Sequence, residues 1–126
     1  MPTDLKSVRG LGASGAGTSH YIRQRVTAIA LLFLVPWFLY SAVHMVRADY
    51  TSSLTWVAQP INAILLILMI GAALYHMRLG MQTVIEDYIA KSGTKQALLI
   101  LNTFATVALL AATILSVLKI WMSAGA

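Results

Sequence analysis

The residues able to do chemistry crowd into one stretch, Tyr75-His76-Met77-Arg78-Leu79-Gly80-Met81-Gln82-Thr83-Val84-Ile85-Glu86-Asp87-Tyr88, at the end of a long apolar run. At about 100° per residue, a helix sets Gly80, Thr83 and Asp87 within ~40° of His76, so the four share a face. Ala72 and Ala73, one turn earlier, flank it. An imidazole between alanine and glycine sits in a shallow notch, where a flat macrocycle can approach the backbone while a ring nitrogen reaches its iron. That geometry suits a haem. A hydrogen bond to a neighbouring helix would satisfy the same imidazole, so the residues alone leave both readings open.

Two further groups follow at the edge of the apolar run. Tyr88 can donate a hydrogen bond to a quinone carbonyl, and Asp87 can orient it or relay protons. A solvated helix end accounts for the pair equally well. Arg78, about 6 Å inside the boundary, can snorkel to headgroups or meet an anion such as a haem propionate, which an arginine fork binds bidentately. Arg23 and Arg25 lie at a similar level before the first apolar run, where cationic residues also serve as topology signals.

His44 is poorly placed to be a second iron ligand beside His76. It lies ~27 Å along its span from the end where His76 sits only ~9 Å deep, at 1.5 Å rise per residue. A bis-histidine haem therefore needs its other ligand from a second chain, and His44 reads as an interfacial residue near the opposite surface.

The elements that must position these groups are set by composition. Of 126 residues, 59% are hydrophobic and only 10% charged, too little polar surface to cover a water-soluble globule. The fold class expected is all-α, an integral membrane protein with three transmembrane helices over about residues 26–46, 61–81 and 97–118, each near the ~20 residues a bilayer core requires. Residues 1–25 read as an N-terminal arm and 26–126 as the membrane domain. The first 19 residues are rich in Gly, Ser, Ala and Thr and bury too little apolar surface to order alone. The first apolar run is long enough to be a retained span rather than a cleaved signal. Pro36 predicts a kink in the first span. Ala108, Ala112 and Ser116, with Asn102, Thr106 and Thr113, predict close helix approach and interhelical hydrogen bonds along the third.

Charge sets the orientation. Lys6, Arg9, Arg23, Arg25, Arg78, Lys91 and Lys95 fall on one side, against Arg47 and Lys119 on the other, which predicts a cytoplasmic N-terminus and a periplasmic C-terminus. Tyr21 and Tyr88, with Tyr50, Trp56 and Trp121 across the membrane, suit the two aromatic belts. The basic residues border apolar runs instead of forming a dense tract, which argues against nucleic acid as a partner. The chain has no cysteine, so thiolate-held zinc and iron–sulfur clusters are excluded within it. It also lacks a nucleophile–base pair, a phosphate-binding glycine loop and the paired broken helices of a transporter. Catalysis by this chain alone is not expected.

The pattern His76-x3-Gly80-x6-Asp87-Tyr88 at the end of the second span resembles the motif of the small D-type membrane anchors of succinate dehydrogenase, respiratory complex II. So does His20 followed by Arg25-Val26-Thr27-Ala28-Ile29 at the opening of the first span. The likeness runs in order from about Gly15 to Tyr88, and the third span matches as a generic apolar helix. It implies a complex in a bacterial inner membrane in which a flavoprotein oxidises succinate, an iron–sulfur protein carries electrons to the membrane, and two anchors bind haem b and reduce ubiquinone. By matching positions, His76 would be one axial ligand of the haem iron, with the second from a C-type companion anchor. Tyr88 would hydrogen-bond the quinone with Asp87 in support, while Arg25 and His20 would lie near the propionates or the quinone entrance. Arg78 and Gln24 depart from the family pattern by adding polarity. A fumarate reductase anchor has similar architecture and runs the reaction in reverse, whereas a non-redox packing or assembly subunit would bind neither haem nor quinone.

Overall fold

A computed structural model describes residues 15–124, and the expectations for the first 14 residues lie outside them. The elements are α1 (Gly15–Val46), α2 (Tyr50–Ala58), α3 (Pro60–Tyr88) and α4 (Ser92–Ala124). Among them α1, α3 and α4 are the three helices long and apolar enough to cross a membrane. At 32, 29 and 33 residues they extend about 43–50 Å, well beyond a ~30 Å hydrocarbon core, so each carries surplus turns into the headgroup layer.

That surplus explains where the helices begin. Apolar composition marks the stretch that must sit in lipid, whereas helicity continues until something breaks it, and nothing between Gly15 and Val26 does. Residues 15–25 are therefore the first turns of α1, not part of an arm, and they carry His20, Gln24 and Arg25 on a defined helix surface. Likewise α3 continues to Tyr88 before a short extended break at residues 89–91. Pro36 lies inside the continuous α1 helix.

The connection after α1 contains a helix that hydrophobicity does not announce. Asp49 caps α2 by accepting a hydrogen bond from the Ser52 amide at 2.8 Å. Gln59 then turns extended and Pro60 opens α3, a position where its missing N–H costs nothing. Trp37 of α1 and Trp56 of α2 stack at 5.6 Å, and the Asn62 amide donates to the Trp56 carbonyl at 2.9 Å.

α3 is the middle helix, packed by α1 on one side and α4 on the other, while α2 rests on α4 and on α3. Its buried residues are Asn62, Ala63, Leu66, Met69, Leu79 and Ile85. The small-residue row Ala108, Ala112 and Ser116 is exposed and faces away from α3. Asn102, Thr106, Leu110, Thr113 and Val117 make the buried or half-buried side instead, because these positions fall within an arc of about 80° on one side of Asn102 at 100° per residue, whereas the alanines lie about 80–120° from Asn102 on its other side. On the α3 side, Gly71 faces Leu110: a Cβ added at Gly71 would stand 3.7 Å from the Leu110 Cδ1, an ordinary contact. Large apolar side chains such as Leu32, Phe33, Leu101 and Phe104 remain on the outside, as a lipid or partner-helix environment requires.

Candidate functional site

His20, Gln24 and Thr27 recur at helical spacing and form one row on α1, half-buried against α3. Opposite them stand His76, Leu79 and Gly80. The row makes three contacts. The Nδ1 of His76 lies 2.9 Å from the Thr27 hydroxyl. The Nε2 of His20 lies 3.3 Å from the Leu79 carbonyl oxygen. A Cβ at Gly80 would meet the Gln24 Nε2 at 3.8 Å, an ordinary contact. The glycine notch anticipated beside His76 thus faces Gln24, and α1 itself does not demand that the residue be glycine.

Proton accounting favours one direction for the contact between Thr27 and His76. The Thr27 hydroxyl donates to its own helix, with the Arg23 and Gln24 carbonyls at 2.9 and 3.0 Å. A hydroxyl has one proton, and two carbonyls of its own helix lie within reach to accept it. The contact with His76 is then Nδ1–H donating to the Thr27 oxygen. In a neutral imidazole that leaves the lone pair on Nε2, and no hydrogen bond among the described residues engages that nitrogen. His20 is the reverse case: a carbonyl only accepts, so its Nε2–H is the donor to Leu79.

Gln24 adds an unresolved polar atom. Its Oε1 is buried with no hydrogen-bond partner among the described residues, a condition that costs about 1–3 kcal/mol until a donor reaches it. Sequence reasoning treated Gln24 only as a departure and assigned Thr27 no role. The available signal was their spacing with His20, which places all three on one helix face.

The remaining anticipated residues are distributed differently. Arg25 points off the α3-facing row, exposed, with its guanidinium 5.1 Å over the Tyr21 ring. Asp87 and Tyr88 occupy the exposed end of α3, Tyr88 with 81% of its surface accessible. Asp87 continues the angular face of His76, whereas Tyr88 is turned about 100° from Asp87. Arg78 faces the opposite neighbour: its Nη2 donates to the Thr103 hydroxyl at 3.4 Å, and the Asn102 amide donates to the Arg78 carbonyl at 3.0 Å. Thr106 donates to the Asn102 carbonyl at 2.8 Å. Asn102 therefore acts as interhelical glue, and Arg78 is half-buried between α3 and α4 instead of reaching freely outward. His44 sits at the far end of α1, exposed, in edge contact with Tyr40 at 4.5 Å.

The three-helix membrane architecture agrees with the comparisons to known proteins. Residues 1–118 match the family described as succinate dehydrogenase/fumarate reductase transmembrane subunit. A succinate dehydrogenase hydrophobic membrane anchor subunit of Rickettsia bellii is 34% identical over 97 residues, 77% of this chain and 78% of its own length. A protein of that description from Paracoccus denitrificans is 26% identical over 122 residues, 97% of this chain and 94% of its own. No solved structure gives a significant match. The chain belongs to the succinate dehydrogenase/fumarate reductase transmembrane subunit family, as a membrane anchor subunit of succinate dehydrogenase.

Proposed function

We propose that this anchor co-ligates a haem b through His76 Nε2 and contributes Tyr88, supported by Asp87, to a ubiquinone-reduction site. The observation that carries the haem reading is the Thr27–His76 hydrogen bond, which occupies Nδ1 and leaves Nε2 as the acceptor. Among the described residues no three His, Cys, Asp or Glu side chains come together. The metal such a lone histidine suits is one already held by a macrocycle, with the second axial ligand coming from a companion anchor. Bound there, haem b supplies a one-electron carrier inside the membrane.

The chain's own residues then do three things. Thr27 and His20 hold α1 against α3 around His76. Tyr88, exposed at the end of α3, donates a hydrogen bond to the quinone carbonyl, and Asp87 one residue earlier offers a carboxylate for the protons that quinone reduction consumes. Gln24, whose Oε1 lacks a donor, and the cationic Arg25 and Arg23 line the approach near the propionates. The partners are a flavoprotein, an iron–sulfur protein and a C-type anchor in a bacterial inner membrane. The positive side, with the N-terminus, faces the cytoplasm and the C-terminus faces the periplasm.

The test is a dithionite-reduced-minus-oxidised optical spectrum of the native detergent-solubilised complex, with its co-purifying subunits counted. A b-type signal with three partner proteins is expected. The same partners without haem would remove the ligand role and leave the quinone role.

A further inference from the structure

We infer that Thr27 is the positioning residue for His76, an inference that rests on the haem-ligand reading above. Its hydroxyl oxygen accepts a hydrogen bond from Nδ1–H and thereby fixes both the tautomer and the rotation of the ring that presents Nε2 to iron.

Three observations carry this. First, the hydroxyl oxygen is anchored on its own helix, 2.9 and 3.0 Å from the Arg23 and Gln24 carbonyls that can accept its only proton. Threonine is branched at Cβ and stiff at χ1, so the oxygen is held in one place. Second, the 2.9 Å contact to Nδ1 crosses from α1 to α3, between residues 49 apart in sequence. The ring orientation is thus dictated by helix pairing and not by the rotamer preference of His76 alone. Third, the pairing has supports besides Thr27. His20 donates to the Leu79 carbonyl and Gln24 covers Gly80, both on the same α1 row, so two further contacts hold the register in a variant that lacks the hydroxyl.

The electronic consequence follows from the direction of donation. An imidazole whose Nδ1–H is engaged by an acceptor is a more basic ligand at Nε2. A more basic ligand favours ferric over ferrous iron and holds the haem potential down. The carbonyl-to-hydroxyl-to-imidazole chain strengthens this, because each polarised bond strengthens the next. Thr27 therefore acts on the iron through His76 without touching it.

The experiment uses the intact detergent-solubilised complex carrying Thr27→Val, Thr27→Ala or Thr27→Ser, and reads the haem midpoint potential and the low-spin ferric EPR signal. Thr27→Val keeps the branched shape and deletes the acceptor. It is expected to raise the potential by about 59 mV, a tenfold loss of ferric preference for a one-electron couple, and to shift the EPR g-values. Thr27→Ser restores the hydroxyl and should return both readouts to wild type. Thr27→Ala makes the same deletion with less bulk and decides the matter if the valine complex does not assemble; loss of haem from it, with the serine complex fully loaded, supports the inference. A haem-loaded Thr27→Val complex, or Thr27→Ala where that decides, with wild-type potential and g-values overturns it. So does a serine complex shifted as far as the valine one. A b-type spectrum that survives His76→Ala overturns the ligand reading itself, a result the Thr27 series cannot produce.

Discussion

The two ends of the bundle each place a histidine on a long apolar helix, and they treat it differently. His76 meets a second helix: its Nδ1 lies against the Thr27 hydroxyl, and His20 and Gln24 pack on the same row. His44 lies edge-on to Tyr40 four residues earlier, exposed at the rim of a hollow shared with Ser52 and Trp56 of α2. At that end the interhelical contacts are made by the Trp37–Trp56 stack and by Asn62 on the Trp56 carbonyl, groups that fasten α2 and offer no metal ligand. Residue type does not separate these histidines. Membrane depth does, and so does the neighbouring helix, which holds a ring nitrogen of His76 and not of His44 among the described residues.

The largest effect should come from the histidines themselves. His76→Ala should abolish or grossly shift the b-type spectrum of the complex, while His44→Ala should leave it at wild-type intensity. An unchanged spectrum in the first variant, or an equal loss in both, would dissolve the contrast. The next effect is at the exposed end of α3. Tyr88→Phe deletes one donor and keeps the ring, so quinone reduction should fall several-fold to tenfold, on the order of 1 kcal/mol, while electron transfer to soluble artificial acceptors persists. Equal loss of both activities would take Tyr88 out of the quinone site.

Smaller effects probe how each end is held. Asn102→Leu removes the amide that grips the Arg78 carbonyl. Interhelical hydrogen bonds in membranes contribute about 0.6 kcal/mol on average, so a slight drop in the thermal stability of the complex is expected, with the haem spectrum unchanged. A bleached spectrum would show that α4 also positions the His76 site. At the opposite end, hydrogen bonds from the Ser52 side chain and then its backbone N–H hold the Asp49 carboxyl below its ordinary value of 3.8. The group binds its proton less readily folded than unfolded, so its contribution is present above the ordinary value and disappears as pH falls through the lowered one. Loss of α2 amide protection from hydrogen exchange should therefore appear only in that acidic range, and Asp49→Ala should show it at neutral pH. The His76 end should be indifferent to both.

Much of the architecture was legible because a bilayer imposes a length. Three apolar runs of about 20 residues mark three spans whatever their neighbours do, and the crowding of His76, Gly80, Asp87 and Tyr88 marked the interesting end. The motif-bearing segments at His20–Ile29 and Tyr75–Tyr88 also carried the family resemblance. Helix α2 was missed because hydrophobicity does not report it, although Asp49 at the cap and Pro60 at the next helix start were signals in plain view. The Ala108–Ser116 row does not face α3. Small residues permit close approach but do not say from which side, and against α3 it is Leu110 that meets Gly71, in ordinary contact.

The amino-acid sequence by itself determined membrane residence, the number of spans and the clustering of ionisable groups near one boundary, since these depend on composition and on one-dimensional spacing. Only the tertiary structure decided that His76 Nδ1 meets the Thr27 hydroxyl, that Arg78 turns toward Thr103, and that Arg25 turns off the α3-facing row. Those outcomes depend on the rotation and register of whole helices against one another, which are set by the summed packing of residues far apart in the chain and have no local signature.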